Sequence, residues 1–375
     1  MSTVFENARK VDAHGEVDDF WMLVDGDTIT STGHGAAPAA DSRVDVAGRW
    51  LTPGFIDLHC HGAGGFSFDN GPEAIVSALA VHRAHGTTRS LVSLVANPLA
   101  ALRESLAGIA ALNDPLVLGA HLEGPFLESE HRGAHNPAFL RDPLPSDVAE
   151  LLHAAAGSLR QVTLAPELPN ALEAIEILVE AGVTVAVGHT NATLEETQHA
   201  IRAGARLLTH AFNAMPGIHH RAPGPVVAAF EDDRVVIELI LDGLHVHPDV
   251  VRLAFASAPG RVALVTDAMA AAGATDGDYQ LGSLAVTVAD GKAVLRGTDT
   301  IAGSTLTLDR ALRLALTAVG LSPREAVEAV TLTPAKALGL EKRHGLLAPG
   351  YAADAVLLDH DWAVTEVWAG GSALR

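Results

Sequence analysis

At 375 residues the chain exceeds one small domain and is long enough for a barrel of roughly 250 residues plus a smaller module. Its 48% hydrophobic content supports a large core without staples, and its lone cysteine, Cys60, excludes an intrachain disulfide and fits a reducing compartment. A formal net charge of −20 works against a nucleic-acid partner, which needs clustered basic residues, although a few local cations can still hold one small phosphate.

From about Val4 to Thr52 short strands and turns are expected. FWMLVDGDTITSTG reads as a hairpin around Asp25-Gly26-Asp27, and SRVDVAGRWLTPG as another strand pair. The opening MSTVFENARK lacks the apolar stretch of a signal peptide, and no window approaches the roughly 18 apolar residues of a membrane span. A soluble, cytoplasmic protein with no membrane partner is the expectation.

The middle of the chain alternates. Eight apolar runs read as buried parallel strands: GFIDLHCH, RSLVSLVA, LVLGAHLEG, QVTLAPEL, VTVAVGHT, RLLTHAFN, VVIELILDG and RVALVTDAM. Between most of them lie amphipathic, Ala-rich segments such as PEAIVSALAVHRAHG and NALEAIEILVEAGV. Eight strands alternating with helices predict an α/β fold of the closed (β/α)8 TIM-barrel type. Thr275 to Thr300 breaks the rhythm and reads as a β-hairpin insertion after strand eight, and ALRLALTAVG and REAVEAVTLTPAKALGL supply closing helices. AADAVLLD and AVTEVWAGG then return to strands, so both termini are expected to build one small β-sandwich from residues 1–52 and 346–375 around a barrel of residues 53–345.

Apolar runs end repeatedly in a metal-type ligand: His59 and His61 on strand one, Glu123 on three, His189 on five, His210 on six and Asp267 on eight. In a barrel these ends face one mouth, where such enzymes place their active sites. His59 and His61 are two apart on a strand and so project to the same side, with Cys60 pointing away. One histidine at a strand end is more often a hydrogen-bonded structural residue than a ligand. Six such residues at one end of one barrel point instead to a divalent transition metal, Zn first with Fe, Mn or Co as alternatives, in one or two positions. A metal that activates water suits hydrolysis of an unactivated amide, with Asp267 as the residue that takes and returns the proton, or as a plain ligand. No His-Glu-x-x-His helix, Gly-x-Ser-x-Gly elbow or Gly-x-x-x-x-Gly-Lys loop is present, and Gly62, Gly64 and Gly65 read as room for close approach at the mouth.

With these residues assembled, the chain resembles the amidohydrolase superfamily, and within it the N-acetylglucosamine-6-phosphate deacetylases, over nearly its full length. The strings that carry the resemblance are TPGFIDLHCHG, HLEGPF followed by GAHNP, VGHTNA, THAFNAM, HRAPG, DGLHV, VTDAM and AGSTLTLDRAL. The carboxylated lysine that many superfamily members carry on strand four has no counterpart in QVTLAPEL, and Glu123 takes that place. The resemblance implies that Glu123, His189 and His210 hold the main metal, that Asp267 is the acid/base, and that His135 helps to polarise the acetyl carbonyl. It also implies that Asn213, Ala214, Ala134, His245 and Arg221 contact a phosphorylated amino sugar, with Arg221 donated across a homodimer interface. A planar, permanently charged guanidinium suits phosphate. Some members have Gln and Asn where this chain has His59 and His61 and bind one metal, so this pair implies a second site. In the lid segment ESEHRGAHN, His131 and Arg132 stand where other members carry lysines or a cysteine. Rival readings are another amidohydrolase, such as a deaminase, a cyclic-amide hydrolase or a deacetylase for a different N-acetyl sugar, and a non-catalytic scaffold.

Overall fold

The computed structural model describes residues 2–374. Met1 and Arg375, the outer bounds of the two expected terminal pieces, lie outside the described residues. The eight apolar runs form eight strands, Phe55–Asp57, Thr87–Leu94, Val117–Glu123, Leu159–Leu164, Thr184–Val187, Leu207–Leu208, Val236–Ile240 and Val262–Val265. Each pairs in parallel with the next in chain order. The ring closes between the first and last, where Cys60 bridges Ala268, His61 N–H donates to the Ala268 carbonyl (2.7 Å) and Asp267 N–H to the His59 carbonyl (2.8 Å). The closing seam is thus made by segments that carry three of the expected metal ligands.

Helices cover the barrel's outer face because a parallel strand must be buried on both sides. Two of them begin with reciprocal capping boxes, Thr193 with Glu196 and Ser322 with Glu325. Their inward faces and the strands form one continuous core running from Phe55, Leu79 and Leu91 to Ile237, Leu264 and Leu312. Among the described residues no helix is long and apolar enough to cross a membrane.

Both ends of the chain enter one eight-stranded sheet, Ser2–Asp12, Gly15–Asp25, Thr28–His34, Ser42–Asp45, Trp50–Pro53, Ala355–Leu358, Val364–Ala369 and Ser372–Ala373. It curls so that Thr28 bridges Ala352, and Phe5, Met22, Ile29, Leu51 and Leu357 pack inside. The expected hairpin is present, with Asp25 opposite Thr28. The expected pairing of 42–45 with 50–53 is not. Both strands lie parallel to Ser2–Asp12, with Thr3 opposite Ser42 and Arg9 opposite Trp50. Between them Val46 N–H donates to the Glu6 carbonyl and Gly48 N–H to that of Asn7, so the chain steps along one edge instead of reversing.

The insertion is also larger than a hairpin. Gly277–Leu281, Leu284–Ala289 and Lys292–Leu295 form a three-stranded antiparallel sheet, because Asp290-Gly291 supplies a second reversal with both residues at positive φ. Its apolar face packs on Val95, Met269 and Ala271, and Asn136 of the lid segment donates to Ser283 Oγ (3.0 Å), which ties insertion and lid together over the mouth.

At the base of the barrel, Arg89 in the second strand grips Asp354 with two parallel bonds of 2.7 and 3.0 Å and joins the terminal sheet to the barrel. Burial pushes the Asp354 carboxyl up, but the nearby His344 imidazole (3.6 Å) and the Arg89 guanidinium outweigh it and hold the group at about 2. A carboxyl held below its ordinary 3.8 stabilises the fold above that value and stops doing so as the pH falls towards 2. Asp354→Asn is expected to cost about 3 kcal/mol in urea unfolding at neutral pH, since it strands a largely buried guanidinium. The deficit should shrink as the pH drops from 3.8 towards 2, and an equal deficit at both ends of that range would contradict the assignment.

Candidate active site

His59 and His61 follow the first barrel strand, and their shared direction brings their Nε2 atoms to 3.1 Å with both rings fully buried. Cys60 points away, its Sγ 3.6 Å from the Leu91 carbonyl. Glu123, the last residue of the third strand, stands in the middle. Its Oε1 is 2.9 Å from His189 Nε2, 3.1 Å from His210 Nε2 and 3.3 Å from His59 Nε2. Its Oε2 is 3.1 Å from His61 Nε2 and 3.3 Å from His135 Nε2. Asp267 Oδ1 approaches from the eighth strand, 3.3 Å from His61 Nε2 and 3.6 Å from His59 Nε2.

The backbone is bent to achieve this. His189, His210 and Asp267 have φ of 48°, 25° and 46°, in a region that non-glycine residues occupy at a cost of about 1–3 kcal/mol each. Each sits where its strand has just ended, and the turn swings the side chain over the mouth instead of along the barrel wall. Gly62 is required by close approach, since a Cβ there would lie 2.2 Å from the Phe66 carbonyl oxygen.

Donor atoms within 4.8 Å of one another define two overlapping groups, His59, His61, Glu123 and Asp267, and Glu123, His189 and His210. Their spacing and their chemistry both suit a metal. Nitrogens at the about 2.0–2.1 Å typical of zinc stand roughly 3.3 Å apart in a tetrahedral shell, and the histidine contacts within the two groups run from 2.9 to 3.6 Å. Facing imidazole nitrogens at 3.1 Å also set lone pair against lone pair unless a proton or a metal ion lies between them. The electrostatics agree. Burial raises the Glu123 and Asp267 carboxyls, yet His59 and its neighbours outweigh burial and hold both below their ordinary values. Burial in turn depresses His59 and His61, but the same carboxylates outweigh it, holding His59 well above the usual range and His61 at about 9. Neither carboxylate has a Lys or Arg partner among the described residues, so histidine protons balance charge that a divalent ion would otherwise neutralise. Burial holds His189 at about 4, as a neutral ligand should be. The residues fit a transition metal.

A cavity of about 280 Å³ opens beside this cluster, lined by Gly133, Ala134, His135, Asn213, Ala214 and His245 together with every member of the two groups except His59. His135 Nδ1 accepts a hydrogen bond from Ala96 N–H (3.1 Å), which leaves the proton on Nε2, the atom facing the site. His245 Nδ1 is 2.7 Å from Asp242, and burial's downward pull on this imidazole is outweighed by that carboxylate, so its pKa is raised. His247 instead caps the following helix through Asp249 N–H. In the lid, the His131 carbonyl is 3.0 Å from His189 Nδ1 and fixes that ring, whereas the Arg132 guanidinium turns back to the Ser129 carbonyl. Arg221 is exposed, lies outside the cavity lining, and contacts His220 Nε2 at 2.7 Å.

The pattern of strand ends misses other members of the site. Leu281, Thr300 and Ile301 of the insertion line the cavity. Below the ligands lie Asp57, bonded to Thr266 Oγ1 (2.7 Å), and His121, held between Ser93 and Thr163 at 2.9 Å each. Glu238 of the seventh strand is fully buried, 3.3 Å from His59 Nδ1. Asp57 and His121 each precede a ligand by two residues, so strand alternation already aims them into the barrel, a signal present in the sequence.

Residues 50–374 match the model of the amidohydrolase family. The N-acetylgalactosamine-6-phosphate deacetylase of Escherichia coli is 36% identical, with 99% of each chain covered. The human N-acetylglucosamine-6-phosphate deacetylase is 39% identical over 88% of this chain and 85% of its own. A mutant N-acetyl-D-glucosamine-6-phosphate deacetylase from Mycobacterium smegmatis, solved in complex with N-acetyl-D-glucosamine-6-phosphate, superposes with a TM-score of 0.94 at 43% identity, over 100% of this chain and 99% of that one. With a histidine and carboxylate cluster at the mouth of a closed parallel barrel, the chain belongs to the amidohydrolase family.

Proposed function

We propose that the chain hydrolyses the acetamide of N-acetylglucosamine 6-phosphate to glucosamine 6-phosphate and acetate, as a cytoplasmic enzyme of amino-sugar metabolism. The observation that carries this reading is the convergence of five histidines on Glu123, with Asp267 beside them, in a chain similar to deacetylases along its length. Glu123, His189 and His210 would hold one divalent ion, and His59, His61, Glu123 and Asp267 a second, with zinc first and Fe, Mn or Co as alternatives. Such an ion, when bound, lowers the pKa of water and polarises a carbonyl oxygen.

The chain's own residues do the rest. Asp267, kept ionised by its histidine neighbours, takes a proton as the water oxygen bonds to the acetyl carbon, and returns it to the amide nitrogen as the C–N bond breaks. His135, with Nδ1 occupied by Ala96 N–H, offers its Nε2 proton to the carbonyl oxygen as negative charge develops there. Asn213, the Ala214 and Ala134 backbone and His245 line the space for the sugar, and Asp242 leaves His245 Nε2 free for a substrate oxygen. Arg221, exposed and without a carboxylate partner among the described residues, would reach the phosphate of a second copy's substrate in a homodimer.

Acetate release should be highest with N-acetylglucosamine 6-phosphate, by about tenfold or more over its 4-epimer and over the sugar lacking phosphate. The Escherichia coli relative favours the galacto reading, and preference for that epimer in the same assay would replace the gluco assignment. Arg221→Ala should raise KM for the phosphorylated sugar about a hundredfold, the loss of two charge-assisted hydrogen bonds, and leave the unphosphorylated sugar unaffected. Equal effects on both would remove the phosphate contact.

A further inference from the structure

Glu238, like Asp57, is a carboxylate buried in the barrel interior that neither the ligand groups nor the proposed chemistry uses, and of the two it is the one whose carboxylate contacts a ligand side chain. It sits in the middle of the seventh strand with no exposed surface. Among the described residues its only ion pair is with His59, whose Nδ1 lies 3.3 Å from Oε2. Gln161 of the fourth strand, also fully buried, donates from Nε2 to Oε1 (2.9 Å), and His210 N–H makes a long approach to Oε2 (3.4 Å). A carboxylate so placed costs several kcal/mol of desolvation unless its charge is used.

Only one of its neighbours presents a second functional atom. With His59 Nδ1 turned to Glu238, the opposite nitrogen Nε2 faces His61 Nε2, Glu123 and Asp267 at 3.1, 3.3 and 3.6 Å and is the atom that would meet an ion. A carboxylate behind a ligating imidazole fixes the tautomer, locks the ring's rotation and raises its donor strength. His61 has no comparable anchor, since its Nδ1 is buried without a hydrogen-bond partner. Gln161 in turn holds Glu238 in its rotamer, so the order of support runs from Gln161 to Glu238 to His59.

We infer that Glu238 is a positioning residue that sets the affinity of the His59–His61 group for its ion, and that Gln161 orients Glu238 for that role. The inference rests on the two-ion reading of the site. It separates the two groups, because Glu238 meets a ligand side chain only in the first and touches the second through the His210 backbone.

The test titrates Zn2+ into chelator-stripped protein by calorimetry with a competing chelator, and counts ions by elemental analysis. Wild type should bind two ions per chain. Glu238→Leu should weaken the His59–His61 ion by about 10- to 100-fold and leave the other ion's affinity unchanged. Glu238→Gln, isosteric and still able to accept a hydrogen bond, should fall between, and Gln161→Met should shift the same ion in the same direction by less. Circular dichroism confirms that each variant is folded, and the last two keep the side-chain volume if Glu238→Leu is not. Two ions in wild type with unchanged affinities in the folded variants, or equal weakening of both ions, would overturn the role of Glu238 alone. One ion in wild type would overturn the two-ion reading and this inference with it.

Discussion

Asp267→Asn is expected to lower kcat for acetate release about a thousandfold while bound metal and KM stay within about threefold of wild type. Asparagine has the same shape and keeps one oxygen for coordination, but it cannot accept a proton from water or pass one to a leaving amine. The position favours that role over simple ligation. Asp267 belongs to one ligand group where Glu123 belongs to both, and it lines the cavity where substrate would sit. Gly303 folds against it, with Ser304 N–H donating to the Asp267 carbonyl (2.7 Å), so the strained turn at φ 46° is held from behind. Steady-state kinetics with metal analysis on the same preparation decides the matter. A kcat near wild type would make Asp267 a ligand only, and loss of metal in step with activity would show that its contribution is coordination.

Glu123→Gln is expected to have the larger effect, removing metal from both groups and lowering kcat/KM by at least about ten-thousandfold. No other side chain touches so much of the site. Five imidazoles lie within 3.3 Å of its two oxygens, and it alone belongs to both ligand groups. An amide offers one neutral oxygen where the carboxylate offers two charged ones, and its NH2 group would oppose either an ion or a histidine donor. Stripping wild type with a chelator should reproduce the loss, with recovery on adding Zn2+, whereas the variant should not recover. Full metal content in Glu123→Gln would refute the proposal that it serves both groups.

Much of this architecture was legible in the residues taken alone. Eight apolar runs separated by amphipathic segments specify eight buried strands and their covering helices, because burial on both faces leaves no room for polar alternation. The spacing of His59 and His61 is likewise local, since residues two apart on an extended chain must share a side. The terminal pieces were recognisable as strands, but their partners were not. The stretch from Ser42 to Pro53 has the composition of a strand pair, yet both halves lie on the edge of Ser2–Asp12, a choice made by hydrogen bonds to Glu6 and Asn7.

Glu238 marks the limit most clearly. In VVIELILDG it is one charge in an apolar strand, and its meaning comes from His59, 179 residues away in the chain. The same holds for the insertion, whose Leu281 and Ile301 reach the cavity only because its sheet packs over Val95 and Met269. The sequence by itself determined the strands, their order and the side on which His59 and His61 emerge, because these depend on backbone period and burial within short windows. Tertiary structure alone decided which buried groups became partners, because closing the ring sets distances between residues that no local pattern relates.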